Sequence, residues 1–418
     1  MSGDALYQEV YEKYSQYINP NLARLMGFAG FGVEMRSEGC YVYDHEDRQF
    51  LDCLGGYGTF TFGHRNPKII EAVKKQLDIM PLSAKAFFSA NAANLAEALA
   101  RITPGNLQIS FFSNSGTEAV EAALKFAKAT TKRSKIVSTN GSYHGKTIGA
   151  LSTTGREKYR KKFEPLMPGV EFVDYGDIEA LVAAIDDQTA CFIVEPVQGE
   201  GGIIVAPDGY LAAAREACDR TGALLIFDEV QSGLGRTGHL FACNHEGVAP
   251  DMMTLAKAIG GGVIPLGVTI VTEPIYNAVF GDNPMAHTST FGGNPLACAA
   301  GIAAVEILEE GSLIENSRLM GERMKSGFEG IQARFPELVK EIRGRGLMIG
   351  VEFTMDEVGE VVVAQLMKNG VCVAYALNNP RVLRFEPPLV INAEQVDHAI
   401  QALDSSISET AELLAVLA

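Results

Sequence analysis

The amino-acid sequence predicts an α/β protein: a large domain built on a mostly parallel sheet, with a smaller α+β domain beside it. Three observations carry that expectation. The middle of the chain alternates short apolar runs with helical patterns, as strand–crossover–strand units do. The C-terminal part mixes strands and helices in a different rhythm. Polar residues fall just past several apolar runs, where open α/β sheets collect their functional groups.

In chain order, Cys40-Tyr-Val-Tyr43 and Phe50-Leu-Asp52 read as strands of an N-terminal segment, 1–60, that joins the small domain. The large domain is expected over 61–310. Leu107–Phe112 is a strand, followed by a helix from about Thr117 to Lys128, and Lys135–Ser138 is the next strand. Cys191–Val194 and Leu224–Phe227 are apolar throughout, as strands buried on both faces should be. The small domain is expected over 311–418. Gly344–Phe353 reads as a turn into a strand, Val361–Lys368 as a helix, and Val371–Tyr375 and Val382–Phe385 as strands. Asn392 opens a final helix, and Gln395 completes its capping box. The sequence holds no internal repeat, low-complexity tract or Pro/Ser-rich linker.

Composition narrows the function. The 418 residues are 47% hydrophobic and 21% charged, ordinary for a globular enzyme with a sizeable core. A net charge of −16 argues against nucleic acid and anionic membranes as partners, and speaks first for solubility. No apolar run is long enough for a spanning helix. The acidic opening Met1–Tyr14 reads as neither signal nor transit peptide, so a cytoplasmic protein is expected. Seven scattered cysteines, with no C-x-x-C pair, read as free thiols in a reducing compartment. His45 lies among acids in what reads as a polar turn, and the other histidines stand apart, so no metal site is expected.

Four strand ends in order imply one shared pocket: Ser113-Asn-Ser-Gly-Thr117, Tyr143-His-Gly-Lys146, Glu195-Pro-Val-Gln-Gly-Glu200 and Asp228-Glu-Val-Gln231. Ser115, Gly116 and Thr117 sit where a strand turns into a helix. Backbone N–H groups there suit a phosphate, but Ser and Thr are also ordinary helix caps, and the two readings weigh equally. Asp228 follows four apolar residues, so its carboxylate is expected at a pocket floor, where it needs a cationic partner. A structural ion pair would satisfy it, and so would a protonated pyridine nitrogen. Lys257 stands in an apolar run before three glycines. Either its head snorkels to water or burial depresses its pKa and makes it a Schiff-base amine.

Two nucleotide-binding patterns are decoys. Gly141-Ser-Tyr-His-Gly-Lys-Thr147 has three residues between its glycines where a phosphate loop needs four, and Ile148–Gly155 is a poor helix to follow it. Gly233-Leu-Gly-Arg-Thr-Gly238 matches G-x-G-x-x-G. However, Asp228 and Glu229 separate it from the strand, and no convincing helix follows.

Taken together, the chain from about Gly39 to Ile400 resembles the class III aminotransferases of the type I pyridoxal-phosphate transferase fold. The motifs are Gly63-His-Arg-Asn-Pro67, Asn114-Ser-Gly-Thr-Glu118, Tyr143-His-Gly145, Glu195-Pro-Val-Gln-Gly-Glu-Gly201, Asp228-Glu-Val-Gln231, Leu255-Ala-Lys-Ala258, Thr290-Phe-Gly-Gly-Asn-Pro295 and Arg384-Phe-Glu-Pro-Pro-Leu389. The resemblance implies that Lys257 carries pyridoxal 5'-phosphate and acts as general base, and that Asp228 partners the ring nitrogen. It puts Tyr143 on the ring, Gln231 at its phenolic-oxygen side, and Ser115, Gly116 and Thr117 at the phosphate. His144 and Glu195 join the cofactor-binding set. Thr290 would reach the phosphate of a neighbouring subunit, implying a homodimer or a tetramer built from it. Glu200 and Arg384 resemble a glutamate–arginine switch that admits 2-oxoglutarate, although a permanent pair would look the same in sequence.

Where relatives often carry Arg to hold a distal carboxylate, this chain has Lys146, a poorer bidentate partner. Lys146, Leu54-Gly-Gly-Tyr57 and Asn378-Asn379 are most similar to putrescine aminotransferases, with Tyr57 a candidate for the far ammonium. The expected reaction moves the terminal amino group of a diamine to 2-oxoglutarate. Ornithine, acetylornithine or 4-aminobutyrate are the alternative donors.

Overall fold

The computed structural model describes residues 3–28 and 30–417. Among them the largest sheet has seven strands, in the order Ile109–Ser113, Gly267–Val271, Met252–Leu255, Leu224–Asp228, Thr189–Val194, Lys135–Thr139, Val170–Val173. Gly267–Val271 runs antiparallel to both neighbours, and the remaining pairs are parallel. Every residue of Thr189–Val194 is buried, because helices cover both faces. Successive side chains alternate between those faces. Ile193 and Ile226 pack with Val120, Leu124 and Phe126 of the helix Gly116–Thr131. Phe192, Val194, Leu225 and Phe227 face the other way, onto Leu211 and Ala214 of the helix Tyr210–Thr221.

A separate core joins the two ends of the chain. Cys40, Leu51 and Cys53 pack with Met324, Phe328, Val351, Phe385 and Leu403. The strand Gln49–Asp52 pairs in parallel with Val371–Cys372, placing Leu51 opposite Val371. Beside them lies an antiparallel sheet in the order Val339–Arg345, Met348–Phe353, Val382–Phe385, Ala374–Tyr375. The capping box of the final helix is present: Asn392 N–H donates to Gln395 Oε1 at 3.0 Å, and Gln395 N–H to Asn392 Oδ1 at 2.9 Å.

Three elements differ from expectation. The strand expected within Gly344–Phe353 is Met348–Phe353, but it is the second half of a hairpin whose first strand, Val339–Arg345, takes in Gly344 and Arg345 and is disguised by exposed Lys340 and Glu341. Gly346 makes its turn at φ +55°, and a Cβ there would meet the Thr237 carbonyl carbon at 2.5 Å. The run Val371–Tyr375 is two pieces serving two sheets, since apolar pattern cannot choose a strand's partner. The helix expected from Val361 begins at Asp356, where Asp356 and Glu357 supply the acidic first turn that helix starts favour.

Candidate active site

The parallel strands end on one rim, and a cavity of about 570 Å³ opens there. Ser115, Gly116, Thr117, Tyr143, His144, Lys146, Glu195, Asp228, Gln231 and Lys257 all line it. Four other expected residues do not. Tyr57, Glu200 and Arg384 form a separate cluster, and Thr290 lies on an exposed turn.

At one end of the cavity is the start of the helix Gly116–Thr131. Ser115 Oγ accepts from Glu118 N–H at 3.3 Å, and its carbonyl accepts from Ala119 N–H at 3.1 Å. The hydroxyl is therefore the cap. The amides of Gly116 and Thr117, which have no acceptor inside the helix, are left for an anion. A Cβ on Gly116 would press to 3.0 Å from Val230. Thr117 Oγ1 lies 2.7 Å from Thr147 Oγ1, which donates to Glu121 Oε1 at 2.6 Å. The same Glu121 oxygen accepts from Gly149 N–H at 2.8 Å and Ala150 N–H at 3.1 Å. This borrowed cap explains why Ile148–Thr153 is helical despite its poor propensity.

The floor is Asp228, at the end of Leu224–Asp228. Its Oδ1 accepts from Val230 N–H at 3.1 Å and its Oδ2 lies 2.8 Å from His144 Nδ1. Both side chains are buried, and His144 Nε2 has no partner. Glu195 ties the neighbouring loops together, with Oε1 accepting from Tyr143 N–H at 2.8 Å and Oε2 from Gly199 N–H at 3.1 Å. Burial pushes its pKa up to about 7. Lys257 opens a single 3₁₀ turn, Lys257–Gly260, with its backbone in the left-handed region at φ +51°. Burial lowers its pKa, against the upward pull of Glu386, Glu200 and Asp228.

Behind the cavity, Arg384 is fully buried. It donates from Nη1 to Glu200 Oε1 at 3.0 Å and from Nη2 to the Tyr375 carbonyl at 3.0 Å. Its guanidinium carbon stands 5.0 Å from the Tyr57 ring centre. Glu200 Oε2 accepts from Leu377 N–H at 2.8 Å. Lys146 is exposed at the cavity mouth, its Nζ 5.3 Å from the Tyr159 ring centre. Sequence reasoning missed Glu386, whose two carboxylate oxygens each accept from Gln231 Nε2 at 2.9 Å. The available signal was an acid at the end of a buried strand, between Phe385 and Pro387.

The donor set fits one kind of occupant: a flat ring bearing a phosphate. Free amides at a helix start would suit the phosphate, Tyr143 would border the ring, the buried Asp228 carboxylate would suit a protonated ring nitrogen, and Lys257, its pKa lowered by burial, would suit the carbonyl carbon. Fold and site together define a pyridoxal-phosphate-dependent enzyme of the type I fold. The profile described as "Aminotransferase class-III" matches residues 31–407, and the chain belongs to that family. It is similar to the ornithine aminotransferase from Toxoplasma gondii ME49, with 32% identity and a TM-score of 0.91 over 98% of this chain and 97% of that one. It is also similar to a Bacillus anthracis aminotransferase, with 30% identity and a TM-score of 0.89 over 98% and 100%. An (S)-enantioselective omega-transaminase from Thermomicrobium roseum gives 30% identity and a TM-score of 0.89 over 98% and 99%.

Proposed function

We propose that this aminotransferase takes the terminal amino group of a diamine such as putrescine or cadaverine and delivers it to 2-oxoglutarate, giving an aminoaldehyde and glutamate. One observation carries the diamine reading. Among the described residues lining the cavity, the cations are Lys146 and Lys257, and no arginine is present to grip the far carboxylate of an amino-acid donor. Ornithine is the second reading, favoured by the likeness to the Toxoplasma gondii enzyme.

Bound pyridoxal 5'-phosphate supplies an electron sink. Gly116 and Thr117 would hold its phosphate, Tyr143 its ring face, Asp228 its nitrogen and Gln231 its phenolic-oxygen side. His144 braces Asp228 through the 2.8 Å contact. Lys257 Nζ, neutral more readily because burial disfavours its charge, takes the proton from the carbon bearing the substrate amine. Arg384 stays paired with Glu200 while an amine is bound. It releases Glu200 when the carboxylate of 2-oxoglutarate enters, since a planar guanidinium holds either acid equally well. The chain is read as two domains, 61–310 and 311–418 with 1–60, working as a homodimer in which Thr290 reaches the neighbouring site.

An absorbance spectrum before and after adding putrescine, without keto acid, tests the donor. Bleaching of the yellow band of the lysine-bound cofactor is the expected result. Bleaching by ornithine or 4-aminobutyrate but not putrescine would overturn the diamine reading and leave the aminotransferase standing.

A further inference from the structure

We infer that Glu386 is a fixed second carboxylate beside Arg384 that biases the site towards cationic amines and against dicarboxylate keto acids. The two acids near Arg384 Nη1 are held by different partners. Glu200 Oε1 lies 3.0 Å away and takes Arg384 itself as a partner, its Oε2 accepting from Leu377 N–H at 2.8 Å, on a loop with Gly199, Gly201 and Gly202 around it. Glu386 Oε2 lies 3.7 Å away and is held independently of Arg384. Its N–H donates to the Cys53 carbonyl at 2.7 Å, and both its carboxylate oxygens accept from Gln231 Nε2 at 2.9 Å. Its carbonyl is packed so closely on Gly55 that a Cβ there would come within 2.1 Å. Glu386 is fully buried, so its charge is poorly screened.

When Glu200 leaves Arg384 to make room for a substrate carboxylate, Glu386 does not leave with it. Exchanging Glu200 for a substrate carboxylate keeps Arg384 paired, but it adds the whole charge of 2-oxoglutarate to a site that still holds both glutamates. Glu386 opposes that added charge. The same field favours a diamine, which brings positive charge. Gln231 is the strut that keeps the Glu386 carboxylate in place, which gives this residue a positioning role alongside the cofactor contact proposed for it. The amine arm of this inference rests on the diamine reading, while the carboxylate arm does not.

The test is Glu386→Gln in the holoenzyme, read as the two KM values and the binding of glutarate, a dicarboxylate with no keto group to react. The expected result is a split: KM for putrescine rises roughly tenfold, while KM for 2-oxoglutarate and the dissociation constant of glutarate fall severalfold, as removal of one poorly screened charge requires. Glu386→Asp keeps the charge and should return both values towards wild type. The inference is overturned if both KM values rise together, if neither moves, or if the aspartate variant behaves like the glutamine one, because each outcome makes Glu386 a packing residue only. Should the wild type ignore putrescine, the diamine reading fails by itself, and the glutarate measurement still decides the role of Glu386.

Discussion

Lys257 and Glu195 show how burial, as the largest influence, shifts two side chains in opposite directions. Burial lowers the lysine pKa, which favours the neutral amine that the proton-transfer role proposed for it would need. Lys257→Ala should slow the putrescine half-reaction by on the order of 10⁴-fold, and a variant that still bleaches the cofactor within tenfold of the wild-type rate would remove Lys257 from its role. Glu195 is pushed the other way, up to about 7 by burial. A carboxyl whose folded pKa lies above its unfolded value binds its proton more tightly when folded. Its contribution is complete below the unfolded pKa and is lost as pH rises through the folded one. Between pH of about 4.5 and about 7 the native state should therefore lose up to about 3 kcal/mol from this group. Glu195→Gln cannot titrate. Denaturant melts of wild type and variant, both without cofactor, at pH about 5 and about 8 should show a stability gap that changes by that amount. A gap independent of pH would mean the buried carboxyl stays ionised throughout. Comparison at matched pH cancels other groups, including His245, whose pKa burial holds at about 4 and which tilts the curve in the opposite sense.

At the scale of elements, the site is a meeting of strand ends, and the contacts between those ends leave almost no room. Gly145 has φ +124°, and a Cβ on it would stand 2.3 Å from Thr117 Oγ1. Gly145→Ala would drive the Tyr143–Lys146 loop away from the helix start that cups the phosphate. We expect a loss of about 1–3 kcal/mol in stability and a cofactor affinity weakened roughly tenfold or more, measured by titrating pyridoxal 5'-phosphate into the cofactor-free variant. Unchanged affinity would show that the two elements separate without cost. The elements themselves were legible in the sequence because their cause is local. Apolar runs between helical patterns marked the strands Lys135–Thr139, Thr189–Val194 and Leu224–Asp228, and polar residues after them marked the rim. Lys257 stood out as a charge in an apolar run. What escaped has a distant cause. The strand Val339–Arg345 hides behind its charged face. The helix Ile148–Thr153 depends on a carboxylate lent by Glu121. The Glu386 carboxylate takes its hydrogen bonds from Gln231, 155 residues away in the chain.

For the whole molecule, the surface around Thr290 is the feature that one chain leaves unexplained. Phe87 and Phe88 are 84% and 109% exposed, and Phe291 is 56%. Lys85 Nζ donates to the Gly292 carbonyl, tying the segment that bears Phe87 and Phe88 to the turn that bears Thr290 and Phe291. An apolar surface of this kind marks a site of association. If it is the dimer contact, the threonine beside it is carried towards a second active site, as the homodimer reading requires. Opposing this, each chain carries a net charge of −16, and two such chains repel each other over about a Debye length. The two terms predict a dimer that loosens at low ionic strength, where repulsion reaches further, and tightens as salt screens it. Sedimentation across a salt series measures this directly. The double variant Phe87→Asp, Phe88→Asp puts two more negative charges per chain on this surface and should give monomers with weakened cofactor affinity, because a hydroxyl that Thr290 of the partner subunit would supply is lost with it. Monomers that hold the cofactor as tightly as wild type would detach Thr290 from the phosphate. A variant that stays dimeric would place the contact on another face of the molecule.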